Sequence, residues 1–195
     1  MQGKGGPQEA QKAQKPPIDR RNRAAQPAGM LLDDLEAEPR MTVARLEECY
    51  RRHCLRKNFS NEVAEAVASG SPALERSGAW LLVRLVRERG GIPVADWEIV
   101  VNGLDGVRAW MARLQLCQLV AAHPALSDAA PGAIAEFVRS CAADPKPFVR
   151  AWGFTAFQAL GRRHTEYRAE ARRWLAKGRK DAAKSVQARL RQLED

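Results

Sequence analysis

Two pentapeptides, Gly106-Val107-Arg108-Ala109-Trp110 and Phe148-Val149-Arg150-Ala151-Trp152, share Val-Arg-Ala-Trp at a 42-residue offset, each shortly after an aspartate, Asp105 and Asp144. Ser77-Gly78-Ala79-Trp80 opens a third, poorer copy, and Lys184 to Leu190 reads as a truncated fourth. From Met41 onward the surrounding sequence is helical in pattern, with breakers at short intervals. Val43, Leu46, Tyr50 and Cys54 lie one helical turn apart behind a Thr42 cap. Ser71-Pro72 sets a cap before a proline at the first helical position, and Gly90-Gly91 stops that helix. After Asp105, Val107, Trp110, Leu114, Cys117 and Ala121 form one apolar stripe that Leu116, Leu119 and Val120 widen around the cylinder. Such a helix must be covered on two sides, so it belongs in the middle of a stack. No run alternates like a strand and no Asn-Gly hairpin signal occurs, so the expectation is all-α, with nine helices over 41–195 and antiparallel neighbours.

A period of about 40 to 47 residues with two helices per unit is the signature of HEAT and armadillo arrays. Residues 71–195 resemble HEAT repeats, in which an aspartate is commonly followed by a Val-Arg pair and small residues. The resemblance implies an α-α superhelix: antiparallel helix pairs stacked in a right-handed solenoid, each burying its apolar face against the next. It makes Trp80, Trp110 and Trp152 equivalent packing residues, and gives Arg108 and Arg150 bonds to the preceding aspartate or the neighbouring layer. It also implies a non-catalytic interaction or scaffold module. One enzymatic relative of this architecture, the DNA alkylation-repair glycosylases, would need an aspartate beside an aromatic; Asp105 with Trp110, or Asp96 with Trp97, are the available pairs.

The bulk properties agree with one folded body. The chain has 195 residues, 45% hydrophobic and 28% charged, which excludes a wholly disordered, collagenous or disulfide-scaffold protein. Residues 1–40 are rich in Gly, Gln, Pro and Lys, and are expected to form a flexible tail ahead of a helical domain over 41–195. Met30, Leu31, Leu32 and Leu35, followed by acids, form the tail's one apolar cluster; it could dock as an amphipathic turn on the folded part or on a partner. No apolar run reaches the roughly 20 residues of a membrane span, and no signal-peptide core is present. A cytoplasmic location without membrane contact is expected, and the Ala- and Arg-rich composition suits a GC-rich bacterial genome. Cys49, Cys54, Cys117 and Cys141 lack paired short spacings and read as free thiols.

Catalytic motifs are missing, including Gly-x-Ser-x-Gly, His-Glu-x-x-His and a phosphate-binding Gly-Lys loop. Cys49 and His53 share one helical turn, half of a zinc site that no second Cys/His pair completes, so neither metal nor cofactor is expected. Charge carries the stronger signal. Of the formal +9, residues 145–195 hold 13 Lys/Arg against 5 Asp/Glu, while 41–144 balance at 12 against 12. Arg162, Arg163, Arg168, Arg172, Arg173, Lys177, Arg179 and Lys180 crowd one segment, with Arg168 and Arg172 turned outward together and Lys184 exposed on the last helix. This basic ridge is either a solvated cap or a contact for an acidic partner. Another protein is the first expectation for that partner, with Trp97, Arg113, Arg172 and Arg173 as contacts; nonspecific nucleic-acid binding through the C-terminal helices is the second. Oligomeric state is not readable.

Overall fold

The computed structural model describes residues 30–193. All its regular elements are helical, and no strand occurs among the described residues. The α-helices are α1 (Leu31–Ala37), α2 (Val43–His53), α3 (Phe59–Ala68), α4 (Pro72–Arg89), α5 (Val94–Gly103), α6 (Trp110–Ala122), α7 (Pro131–Ala142), α8 (Pro147–Arg163), α9 (Arg168–Gly178) and α10 (Lys184–Arg191). Prolines open α4, α7 and α8 at the first helical position, where an N–H would have no intrahelical partner anyway. Gly90 closes α4 at φ +78°, a left-handed turn that glycine adopts without strain. No helix among the described residues is long and apolar enough to cross a membrane.

The helices recur in step. α4, α6, α8 and α10 each pack against the next and begin at Pro72, Trp110, Pro147 and Lys184, spacings of 38, 37 and 37 residues. α3, α5, α7 and α9 begin at Phe59, Val94, Pro131 and Arg168, with spacings of 35, 37 and 37. α3 packs on α4, while α7 and α9 both pack on α8. α8 therefore lies at the centre and buries Val149, Phe154, Phe157 and Leu160 among four neighbours. α6 sits between α4 and α8, as its wide apolar surface requires. Where α7 crosses α8 the backbones nearly touch, since a Cβ on Gly153 would stand 2.5 Å from the Ala142 nitrogen.

This spacing corrects the repeat frame. The first Val-Arg-Ala-Trp leads into its helix, with Ala109 as N-cap and Trp110 as first residue of α6, whereas the second occupies the third to sixth residues of α8. The shared letters are thus five residues out of structural register, and Arg113 is the counterpart of Arg150. Both are the fourth residue of their helix. Each reaches an aspartate 31 residues ahead: Arg113 Nε donates to Asp144 Oδ2 at 3.1 Å, and Arg150 grips both oxygens of Asp181 at 2.8 and 2.9 Å. Each also reaches back six residues to a carbonyl, that of Val107 or Asp144. The aspartates accept the N–H two residues on, Lys146 and Ala183, both at 2.8 Å, which shapes the turn into the next helix. Hydrogen bonding from Arg150 holds the Asp181 carboxyl below its usual range. Gln187 takes the fourth place in α10 and keeps only the backward bond, to the Asp181 carbonyl at 2.7 Å. In α4 the fourth place is Glu75, fully buried, which accepts from the Arg108 and Ala109 nitrogens at 2.9 and 2.6 Å. The layers are stitched by polar contacts that repeat with the helices.

Of the expected tail over 1–40, the cluster around Leu31 and Leu35 docks on the folded part. α1 belongs to the folded body, because Leu31 and Leu35 are fully buried and the Leu31 N–H donates to Glu62 Oε2 at 2.8 Å. Residues 1–29 lie outside the described residues. The three tryptophans are also not equivalent: Trp80 and Trp152 pack half-buried against the core, but Trp110, at the start of α6, is 40% exposed beneath the Lys146 ammonium.

Candidate functional site

The exposed sides of α4, α6, α8 and α10 enclose a groove of about 790 Å³. Along α8 its wall is Trp152, Thr155, Gln158, Ala159 and Arg162, positions three or four apart that share one helical face. The rest comes from equivalent places on neighbouring helices. Gln118 and Thr155, Ala121 and Gln158, Ala122 and Ala159, Ala125 and Arg162, and Trp152 and Arg189 are all pairs 37 residues apart, and Arg87 precedes Ala125 by 38. The groove is therefore lined by positions that recur every 37 or 38 residues. Alanines at 121, 122, 125 and 159 leave it hollow.

Its charge has one sign. Arg87, Arg162, Arg163 and Arg189 line it, and among the described residues no aspartate or glutamate does. Arg87 and Arg162 are exposed and form no ion pair among the described residues. Arg163 is shared with Asp128, whose carboxyl it holds below the usual range. Arg189 lies over the Trp152 ring with its guanidinium carbon 3.9 Å from the centroid, and its Nε donates to Thr155 Oγ1 at 3.4 Å. Beside the groove, Arg162 and Gln158 also form a wall of a smaller pocket of about 350 Å³ between α8 and α9, with Arg168 and Arg172.

Of the residues singled out from the sequence, Arg162, Arg163, Arg168 and Arg172 come together here. The others go elsewhere. Trp97 is 3% exposed and its indole N–H donates to the Leu126 carbonyl at 2.6 Å, so it is a core residue and not a contact. Arg113 is taken up between layers by Asp144 and Ser140. Arg173 stands near Glu170, which Arg139 already grips at 2.7 and 3.0 Å. Lys177 covers the Trp174 ring at 4.7 Å, and Lys184 starts α10, away from both cavities. Trp152, Arg189 and Arg87 are the groove residues the sequence reading missed. The 37-residue offset was the signal for the first two.

Two constellations resemble catalytic or metal sites and are accounted for by packing. Ser127 Oγ lies 2.8 Å from His164 Nε2, but the hydroxyl is fully buried and donates to the Pro124 carbonyl, so it cannot meet a substrate. Asp34, Cys49 and His53 bring ligand atoms within 4.8 Å of one another. The Arg56 guanidinium donates to His53 Nδ1 at 3.0 Å, which leaves the ring proton on Nε2, where it is given to Asp34 Oδ2 at 2.7 Å. Nε2 then has no lone pair for a metal. Burial pushes the Cys49 thiol up to about 11. Burial also raises the Asp34 carboxyl, yet His53 and Arg52 outweigh it and hold it below the usual range. The triangle fastens α1 to α2. Of the two carboxylate and tryptophan pairs, Asp96 and Trp97 are buried, Asp105 and Trp110 are exposed, and neither pair lines the groove. No family model matches this chain, and neither a curated protein nor a solved structure does.

Proposed function

We propose that this chain is a non-catalytic α-solenoid of HEAT type that binds the phosphate backbone of nucleic acid in the groove of α4, α6, α8 and α10. The helix starts at 37- and 38-residue intervals, and the arginine contacts that repeat with them, support the array reading. The observation that carries the ligand class is the groove's lining of four arginines, with no carboxylate among the described residues. Guanidinium groups give paired N–H donors to phosphate oxygens, and a surface that binds backbone needs no base-reading element. Gln118 adds a neutral amide donor along the same track, and Gln158 has one N–H left beside the one it gives to the Leu193 carbonyl. An acidic protein segment is the second reading, favoured by the alanine floor, which would receive a helix as readily as a strand of nucleotides.

Fluorescence anisotropy of labelled duplex DNA and single-stranded RNA, from roughly 50 to 300 mM salt, separates the two. With Arg87, Arg162 and Arg189 engaged, Arg163 being paired with Asp128, log affinity for duplex DNA falls with log salt at a slope of roughly −3. Absence of binding at the lowest salt removes the nucleic-acid reading and leaves the acidic protein.

A further inference from the structure

We infer that the pocket between α8 and α9 is a phosphomonoester site, and that its ligand is the terminal phosphate of a nucleic acid lying in the adjoining groove. The inference rests on the groove reading and deepens it. Arg162 from the last turn of α8, and Arg168 and Arg172 one turn apart on α9, line this single cavity of about 350 Å³. No carboxylate lines it, and none of the three arginines has an ion-pair partner among the described residues. Both oxygens of the nearby Glu170 are held by Arg139.

The fold brings these like charges together through a close helix contact. A Cβ on Gly161 would stand 2.7 Å from the Ala171 Cβ and 3.3 Å from the Arg168 Cα, so the missing side chain is what lets α9 approach α8 here. Three cations drawn together without a counter-charge repel one another unless an anion joins them. A phosphodiester brings one negative charge and two free oxygens. A terminal phosphate brings about −1.5 to −2 at pH 7 and three acceptor oxygens, which suits three guanidinium forks. Position agrees with this. Arg162 and Gln158 wall both cavities, so a strand in the groove that ends beside α9 delivers its last phosphate to Arg168 and Arg172.

The test compares one oligonucleotide with hydroxyl ends, with a 5′-phosphate and with a 3′-phosphate, on the full chain and on the double variant Arg168→Gln, Arg172→Gln. Both side chains are exposed, and an unchanged thermal melt shows that the variant is folded. At least tenfold tighter binding of one phosphorylated end, lost in the double variant, is the expected result. Equal affinity for all three oligonucleotides overturns the inference while the groove reading stands, because that reading depends on the hydroxyl form binding at all. Titration with a nucleoside monophosphate separates the sources. If the mononucleotide binds, the variant loses it, and the three oligonucleotides remain alike, the strand end is overturned as the ligand.

Discussion

Replacing Arg87 and Arg162 by glutamine lowers affinity for duplex DNA by roughly 100-fold near 100 mM salt, and flattens the salt slope by about 2. Each guanidinium is taken to make one charge-assisted bond to phosphate, about 1.5 kcal/mol at the low end, and each contact releases about one counterion. The variant's melting temperature stays within about 2 °C of the parent, because surface side chains without partners contribute little to stability. Neither arginine has an ion pair to lose among the described residues. Arg113→Gln is the contrasting variant. It breaks the 3.1 Å contact to Asp144, a pair whose side chains are only 14% and 11% exposed, so it lowers stability and leaves the salt slope alone. A double variant that keeps the parent's slope would remove the groove from the binding surface.

Gly153→Leu is the most damaging single substitution the packing predicts. A Cβ there meets the Ala142 nitrogen at 2.5 Å, the Cys141 carbonyl carbon at 2.7 Å and the Ala142 Cα at 2.9 Å. These are backbone atoms, which cannot turn aside as a flexible side chain does, so α7 and α8 must separate and loosen Val138, Cys141 and Phe157 between them. Overpacking of this kind costs about 3 kcal/mol, which for a domain of this size lowers the melting temperature by roughly 10 °C. Gly132→Ala, near the exposed start of α7 with nothing closer than 3.9 Å, runs the other way and gains up to about 1 kcal/mol from helix propensity. Equal melting curves for the Gly153 variant and the parent would show that the crossing is not as tight as described.

The sequence spoke most clearly where structure is local. Proline at first helical positions, glycine at the end of α4 and the wide apolar surface of α6 are read within one or two turns, and they gave the helices and the central place of α6. The apolar cluster of α1 is legible as a segment able to dock, but its place is not, because what holds it is distant. Glu62, 31 residues on from Leu31, and His53, 19 on from Asp34, supply its polar anchors, and nothing in a short acidic segment announces them. The repeat frame was misread for a related reason. Four matching letters outweighed Arg113 with Asp144 and Arg150 with Asp181, whose significance lies in a contact 31 residues away. The candidate site followed the same division. Its cations stand out as a cluster in the chain, but the sharing of Trp152, Arg189 and Arg87 in one groove depends on the packing of α4, α6, α8 and α10 side by side.

The most direct test of the groove as the binding surface uses the chain's five tryptophans as reporters. Their indole N–H resonances are followed by ¹⁵N-edited NMR while a short DNA duplex is added. Trp152 lies in the groove beneath Arg189, Trp97 is buried with its N–H bonded to Leu126, and Trp110 stands exposed outside the groove at the start of α6. The account predicts that the Trp152 resonance shifts or broadens as duplex is added while those of Trp97 and Trp110 stay in place. A moving Trp110 beside an unmoved Trp152 would contradict it and put the contact outside the groove, at the start of α6.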